Sequence, residues 1–132
     1  MFRQGDVLIR RIQRIPQGAK RQVTEGRIVL AYGEVTGHCH VLHEEAGDYK
    51  VKQADGTVAI VTTKGGKAVA YENNGYIHIE GEVALLHTSG IADIHVQPAQ
   101  TTDHYGQILL PGDYERIIQR EYAPEAIRNV QD

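Results

Sequence analysis

Four segments decide the fold class: Asp48-Tyr-Lys-Val-Lys-Gln53, Thr57-Val-Ala-Ile-Val-Thr-Thr63, Lys67-Ala-Val-Ala-Tyr-Glu72 and Tyr76-Ile-His-Ile-Glu-Gly-Glu-Val-Ala-Leu-Leu86. They are separated by Asp55-Gly56, Gly65-Gly66 and Asn74-Gly75. Such pairs tolerate the positive φ of tight hairpin turns, so the stretch predicts a four-strand antiparallel meander. Within its last segment, Ile77, Ile79, Val83 and Leu85 alternate with Tyr76, His78, Glu80 and Glu82. A period of two places one set on a buried face and the other toward solvent.

Working outward, further strands are expected at Asp6-Val-Leu-Ile-Arg-Arg-Ile12, Arg27-Ile-Val-Leu-Ala-Tyr32 and around His38–His43. Gln107-Ile-Leu-Leu110 meets a Pro111-Gly112 turn, after which Tyr114-Glu-Arg-Ile-Ile-Gln-Arg120 forms another strand. Residues 88–103 read as a long loop. Pro124-Glu-Ala-Ile-Arg-Asn-Val130 reads as a short C-terminal helix, because Pro suits a first helical position and Glu125 complements the dipole there. The expectation is one all-β domain over residues 1–132, a small barrel or sandwich.

Composition agrees. Ile and Val number 25 against 7 Leu, with 14 Gly and no Trp among 132 residues, which suits strands and turns and poorly suits a helical bundle. Cys39 is the single cysteine, so no internal disulfide is expected. No secretory leader and no apolar run near ~20 residues is seen, so the expected setting is cytoplasmic and away from membranes. The net charge of −3 is unevenly spread. Residues 1–27 carry seven Lys/Arg and two acids, leaving −8 on the remainder. Such asymmetry can mark a nucleic-acid face; the plainer reading is a solvated, Arg-rich edge strand.

The chemical signal is concentrated in Gly33-Glu-Val-Thr-Gly-His-Cys-His-Val-Leu-His-Glu44. On a strand, His38, His40, Leu42 and Glu44 share one face, and Cys39, Val41 and His43 take the other. Two imidazoles and a carboxylate from one strand can reach a single ion, with open positions suited to Fe(II) and also to Mn, Ni or Zn. Parity offers a fourth ligand. His87 continues the odd-numbered face of Ile77, Ile79, Val83 and Leu85, where it reads equally as a ligand or as a core-edge histidine bonded to a backbone carbonyl, and His104 can enter from the loop side. His78 faces outward with Glu80, and His95 falls in the loop. Cys39 reads as a small apolar residue.

Gly33, His38-x-His40, Glu44 and Gly47 resemble the first conserved motif of the cupins. That resemblance implies a double-stranded β-helix barrel, with His38, His40 and Glu44 as metal ligands and a small molecule bound in the barrel mouth. In cupins a second motif, Pro-x-Gly followed by His, supplies the fourth ligand; here Pro111 and Gly112 are adjacent and no His follows. The chain also resembles small bacterial and phage proteins that open with Gln-Gly-Asp-Val and close with Gln-Arg-Glu-Tyr-x-Pro-Glu, here Gln4–Val7 and Gln119–Glu125. That second likeness implies no function.

Two further readings follow from the same residues. One is a small barrel of OB or Sm-like type that binds nucleic acid or a protein partner, using the basic N-terminal segment and tyrosines that stack on bases. The other is a homo-oligomer that pairs edge strands such as Asp6–Ile12.

Overall fold

The glycine-containing turns do two different jobs in this chain. The computed structural model describes residues 2–4, 7–24, 26–32, 39–53, 55–88 and 102–118. Their strands are β1 (Phe2–Gln4), β2 (Val7–Ile12), β3 (Val29–Tyr32), β4 (Cys39–His43), β5 (Gly47–Lys52), β6 (Val58–Thr63), β7 (Gly66–Tyr71), β8 (Tyr76–Gly81), β9 (Val83–Thr88), β10 (Thr102–Leu109) and β11 (Gly112–Ile118). Asp55-Gly56 closes the β5–β6 hairpin: Gly56 takes φ +87° and donates to the Gln53 carbonyl, and the Asp55 carboxylate accepts from Thr57 N–H. Asn74-Gly75 closes β7–β8 through a longer turn, in which Glu72, Asn73 and Asn74 all have positive φ.

Gly65-Gly66 does not close a hairpin. There the chain leaves one sheet and enters another, because β6 and β7 lie in different sheets. The segment 76–86 is likewise two strands, broken at Gly81-Glu82, and β8 and β9 lie in different sheets. The expected meander is therefore two hairpins and two crossovers. The two crossovers touch, Glu82 N–H donating to the Gly65 carbonyl, and Gly66 N–H donates to the Glu44 carbonyl beyond β4. A Cβ on Gly66 would come within 2.2 Å of the Glu80 carbonyl oxygen and 2.6 Å of Glu82 N. Both are backbone atoms that cannot yield, so Gly66→Ala is expected to destabilise the fold by about 2–3 kcal/mol. Urea denaturation checks this, and an unchanged midpoint would contradict it.

One sheet has the order β1-β2-β11-β8-β7 and the other β3-β4-β9-β10-β5-β6. The core between them draws Val7, Ile9, Ile77, Ile79 and Tyr114 from the first, and Leu30, Leu42, Val83, Leu85 and Leu109 from the second. A second cluster, made of Cys39, Val41, Tyr49, Val51, Ala84 and Leu86, lies entirely within the six-stranded sheet. Val29 of β3 and Val61 of β6, the two edge strands of that sheet, extend the cluster beside their ladder partners Val41 and Tyr49. β4 is covered on both sides, and all five of its residues are buried. Cys39 is in the second cluster, as its reading as a small apolar residue expects.

The described residues are all-β, with no helix, and so none long and apolar enough to cross a membrane. The helix expected at 124–130 lies outside the described residues, as do His38, His95 and most of the expected loop at 88–103. The Asp6–Ile12 segment is not an edge. Its strand, β2, is paired on one side by β1 and on the other by β11.

Candidate functional site

The histidines of β4 and β9 meet across the ladder. In the antiparallel register Cys39–Thr88, His40–His87, Val41–Leu86, Leu42–Leu85, the two histidines are directly opposite each other. Residues paired in this way project on the same side, so His40 and His87 join Leu42 and Leu85 in facing the intersheet core. His40 is 0% exposed and His87 3%. Their ring centroids are 4.4 Å apart, with the planes tilted by 36°. The row continues on the far side of β9, where His104 pairs with His87. Register shifts on both sides of His104, between Thr102 and His104 and between His104 and Gln107, interrupt β10 there. Irregularities of this kind re-aim side chains and are over-represented near functional sites. The His104 side chain, like all of His38, lies outside the described residues.

Glu44 is not part of this group. β4 ends at His43, and the exposed Glu44 turns toward β7, where its carboxylate accepts from Ala68 N–H at 2.7 Å and its carbonyl from Gly66 N–H. Four residues of extended chain separate its Cα from that of His40 by about 13 Å. The carboxylate satisfies an edge-strand donor. Glu44→Ala is therefore expected to cost about 1 kcal/mol of stability. Chemical denaturation tests this, and an unchanged midpoint would contradict it. Among the described residues no group of three or more His, Cys, Asp or Glu side chains is arranged to hold an ion.

A second constellation, missed in the sequence, lies on the other face of β4. His43 is buried, and its Nδ1 is 3.7 Å from Glu45 Oε2. The same carboxylate oxygen accepts from the buried Arg27 guanidinium at 2.5 Å, and Tyr49 Oη donates to the Glu45 carbonyl. Burial, aided by the Arg27 charge, pushes His43 down to about 4 against a smaller opposing pull from Glu45. Burial alone would raise Glu45, but the Arg27 hydrogen bond holds it below the usual carboxylate range. The only sequence signal was His43 and Glu45 two residues apart at a strand end, with nothing to announce Arg27. On the outer face of the other sheet, His78 Nδ1 lies 2.6 Å from Asp113 Oδ1, a bond that raises its pKa.

Part of the basic N-terminal segment is engaged locally. Arg10 pairs with Glu115 at 2.6 Å, and Arg11 donates to the Pro111 carbonyl while lying over the Tyr114 ring. A cleft of about 380 Å³ opens between the 21–28 segment and β7, lined by Arg21, Gln22, Thr24, Ile28, Glu44 and Ala68; neither His40 nor His87 lines it.

Fold and site together define a small, two-sheet all-β domain with a buried cross-strand histidine pair. The chain belongs to the family described as "Domain of unknown function (DUF8820)", whose model matches residues 3–119. That span takes in His40, His87 and His104. Comparisons with curated proteins and with solved structures gave no match.

Proposed function

We propose that this domain is a cupin-like metal-binding β-domain, which holds a divalent Fe, Mn, Ni or Zn ion on the imidazoles of one cross-strand row. His40 and His87 are its described members. His104, next in register, and His38, two residues along from His40, complete the shell. The observation that carries this reading is the His40–His87 ring contact. Two imidazole nitrogens at about 2.0–2.1 Å from a tetrahedral ion set their ring centroids about 5 Å apart, so the observed 4.4 Å needs only a small rotation. An all-histidine donor set suits borderline transition metals better than Ca²⁺ or Mg²⁺. Bound there, such an ion would supply Lewis acidity toward a small ligand.

The nucleic-acid reading draws less support, because Arg10, Arg11 and Arg27 already have local partners. Elemental analysis of tag-free protein tests the proposal. About one equivalent of transition metal after loading is expected, and less than about a tenth of an equivalent overturns it.

A further inference from the structure

The edges of the two sheets are treated differently. β7, at the edge of the five-stranded sheet, is covered along its length. Gly66 N–H and Ala68 N–H donate to Glu44, the Ala70 carbonyl accepts from Gln22 N–H, and Glu72 N–H donates to the Lys20 carbonyl. Among the described residues, β6, at the edge of the six-stranded sheet, has no strand beyond it and nothing bonds to its outer side. It carries none of the usual protections of an edge: no Pro, no charged residue and no bulge over Val58–Thr63. Two of its three outward side chains are instead apolar, with Ile60 67% and Val58 44% exposed, and the third is Thr62.

The hairpin register fixes which backbone groups face outward. Gln53 N–H donates to the Thr57 carbonyl, so Thr57 points its polar groups at β5. Antiparallel pairs alternate, so Ala59 and Val61 also bond inward, while Val58, Ile60 and Thr62 present their N–H and C=O groups to the open edge. The same three residues lie on the exposed face opposite Lys52, Lys50 and Asp48.

We propose that two copies of this chain pair through β6, antiparallel and centred on Ile60. In that register Ile60 bonds to Ile60 of the second copy, and Val58 of each copy bonds to Thr62 of the other. All three outward-facing residues then exchange both backbone bonds, and the two exposed isoleucines cover each other. The charges fit this direction. Lys52 flanks Val58 and Asp48 flanks Thr62, so each outer cross-copy row has a lysine at one end and an aspartate at the other. A parallel pairing would put like charges at the two ends of all three rows, whereas in the antiparallel register only the central row, with Lys50 at both ends, has them. The occupant is thus a second copy in one register.

Sedimentation of the wild-type chain up to about 100 μM, combined with cysteine cross-linking, tests the proposal. The cross-linking variants lie at exposed positions, so folding is retained. An antiparallel hydrogen-bonded pair has Cα atoms about 5.5 Å apart, within disulfide reach. Ile60→Cys is expected to form a covalent dimer under mild oxidation. Val58→Cys alone is not, since the two copies of residue 58 are about 13 Å apart along the strands. A mixture of Val58→Cys and Thr62→Cys is expected to cross-link. Ile60→Lys is expected to weaken the dimer more than about tenfold. A wild-type monomer throughout that range, or Val58→Cys cross-linking as well as Ile60→Cys, overturns the proposal.

Discussion

Replacing His87 with alanine is expected to weaken transition-metal binding by more than about 100-fold, and His40→Ala to do the same. Loss of an orienting partner one step removed from a metal already costs 10–100-fold, and these residues are proposed as ligands themselves. Each ring is buried in the same row, and either replacement leaves a single described imidazole there. The ligand must be separated from the core residue, since removing a buried ring also opens a cavity. Thermal unfolding with and without zinc makes the separation. Wild-type protein is expected to gain stability on adding metal, by RT ln(1 + [L]/Kd), whereas His40→Gln and His87→Gln fold at their own lower midpoints and gain nothing. A metal-dependent rise of equal size in the variants would remove both residues from the shell.

Acidification is expected to cost the fold about 3 kcal/mol between pH 6.5 and pH 4 through His43 alone. The folded protein holds this imidazole neutral down to about 4, while in the unfolded chain it takes a proton near 6.5. Below 6.5 the unfolded state therefore binds a proton that the native state refuses, and stability falls by about 1.4 kcal/mol per pH unit until the folded group also titrates. Stability from His43 is thus fully present above pH 6.5 and lost toward pH 4. His78 works the other way. Its hydrogen bond to Asp113 raises its pKa, so its contribution is present at low pH and lost as pH rises through the raised value. Urea denaturation at several pH values on wild type and His43→Gln isolates the larger effect. The variant is expected to be less stable at pH 7 and to lose about 3 kcal/mol less on acidification. Parallel pH profiles would show that His43 does not govern the acid limb.

The local turns were readable and the sheets were not. Asp55-Gly56 and Asn74-Gly75 close hairpins because the required backbone conformation is set by those residues themselves. Gly65-Gly66 has the same local chemistry but serves a crossover, and only the packing of Gly66 against the Glu80 and Glu82 backbone distinguishes the two. The odd-residue parity that pointed His87 inward survives the break at Gly81-Glu82. The two sheets share one core, so a chain crossing from one to the other keeps the same side inward. On β4 the pattern was silent, since burial on both faces leaves no polar alternation to read.

The pairing of His87 with both His40 and His104 depends on strand order and on the irregular register of β10, neither of which spacing encodes. Glu44 misled for a related reason. Parity assumes a continuing strand, but β4 ends one residue earlier and the carboxylate turns to the β7 edge. The cupin likeness rests on spacing alone, so it could not foresee that turn.

Zinc K-edge X-ray absorption on the chain loaded with one equivalent of Zn²⁺ tests the central claim most directly. A nitrogen shell at about 2.0–2.1 Å with the outer scattering of imidazole rings is expected, diminished in His40→Gln and His87→Gln. A shell without imidazole scattering, or one unchanged in both variants, would contradict it.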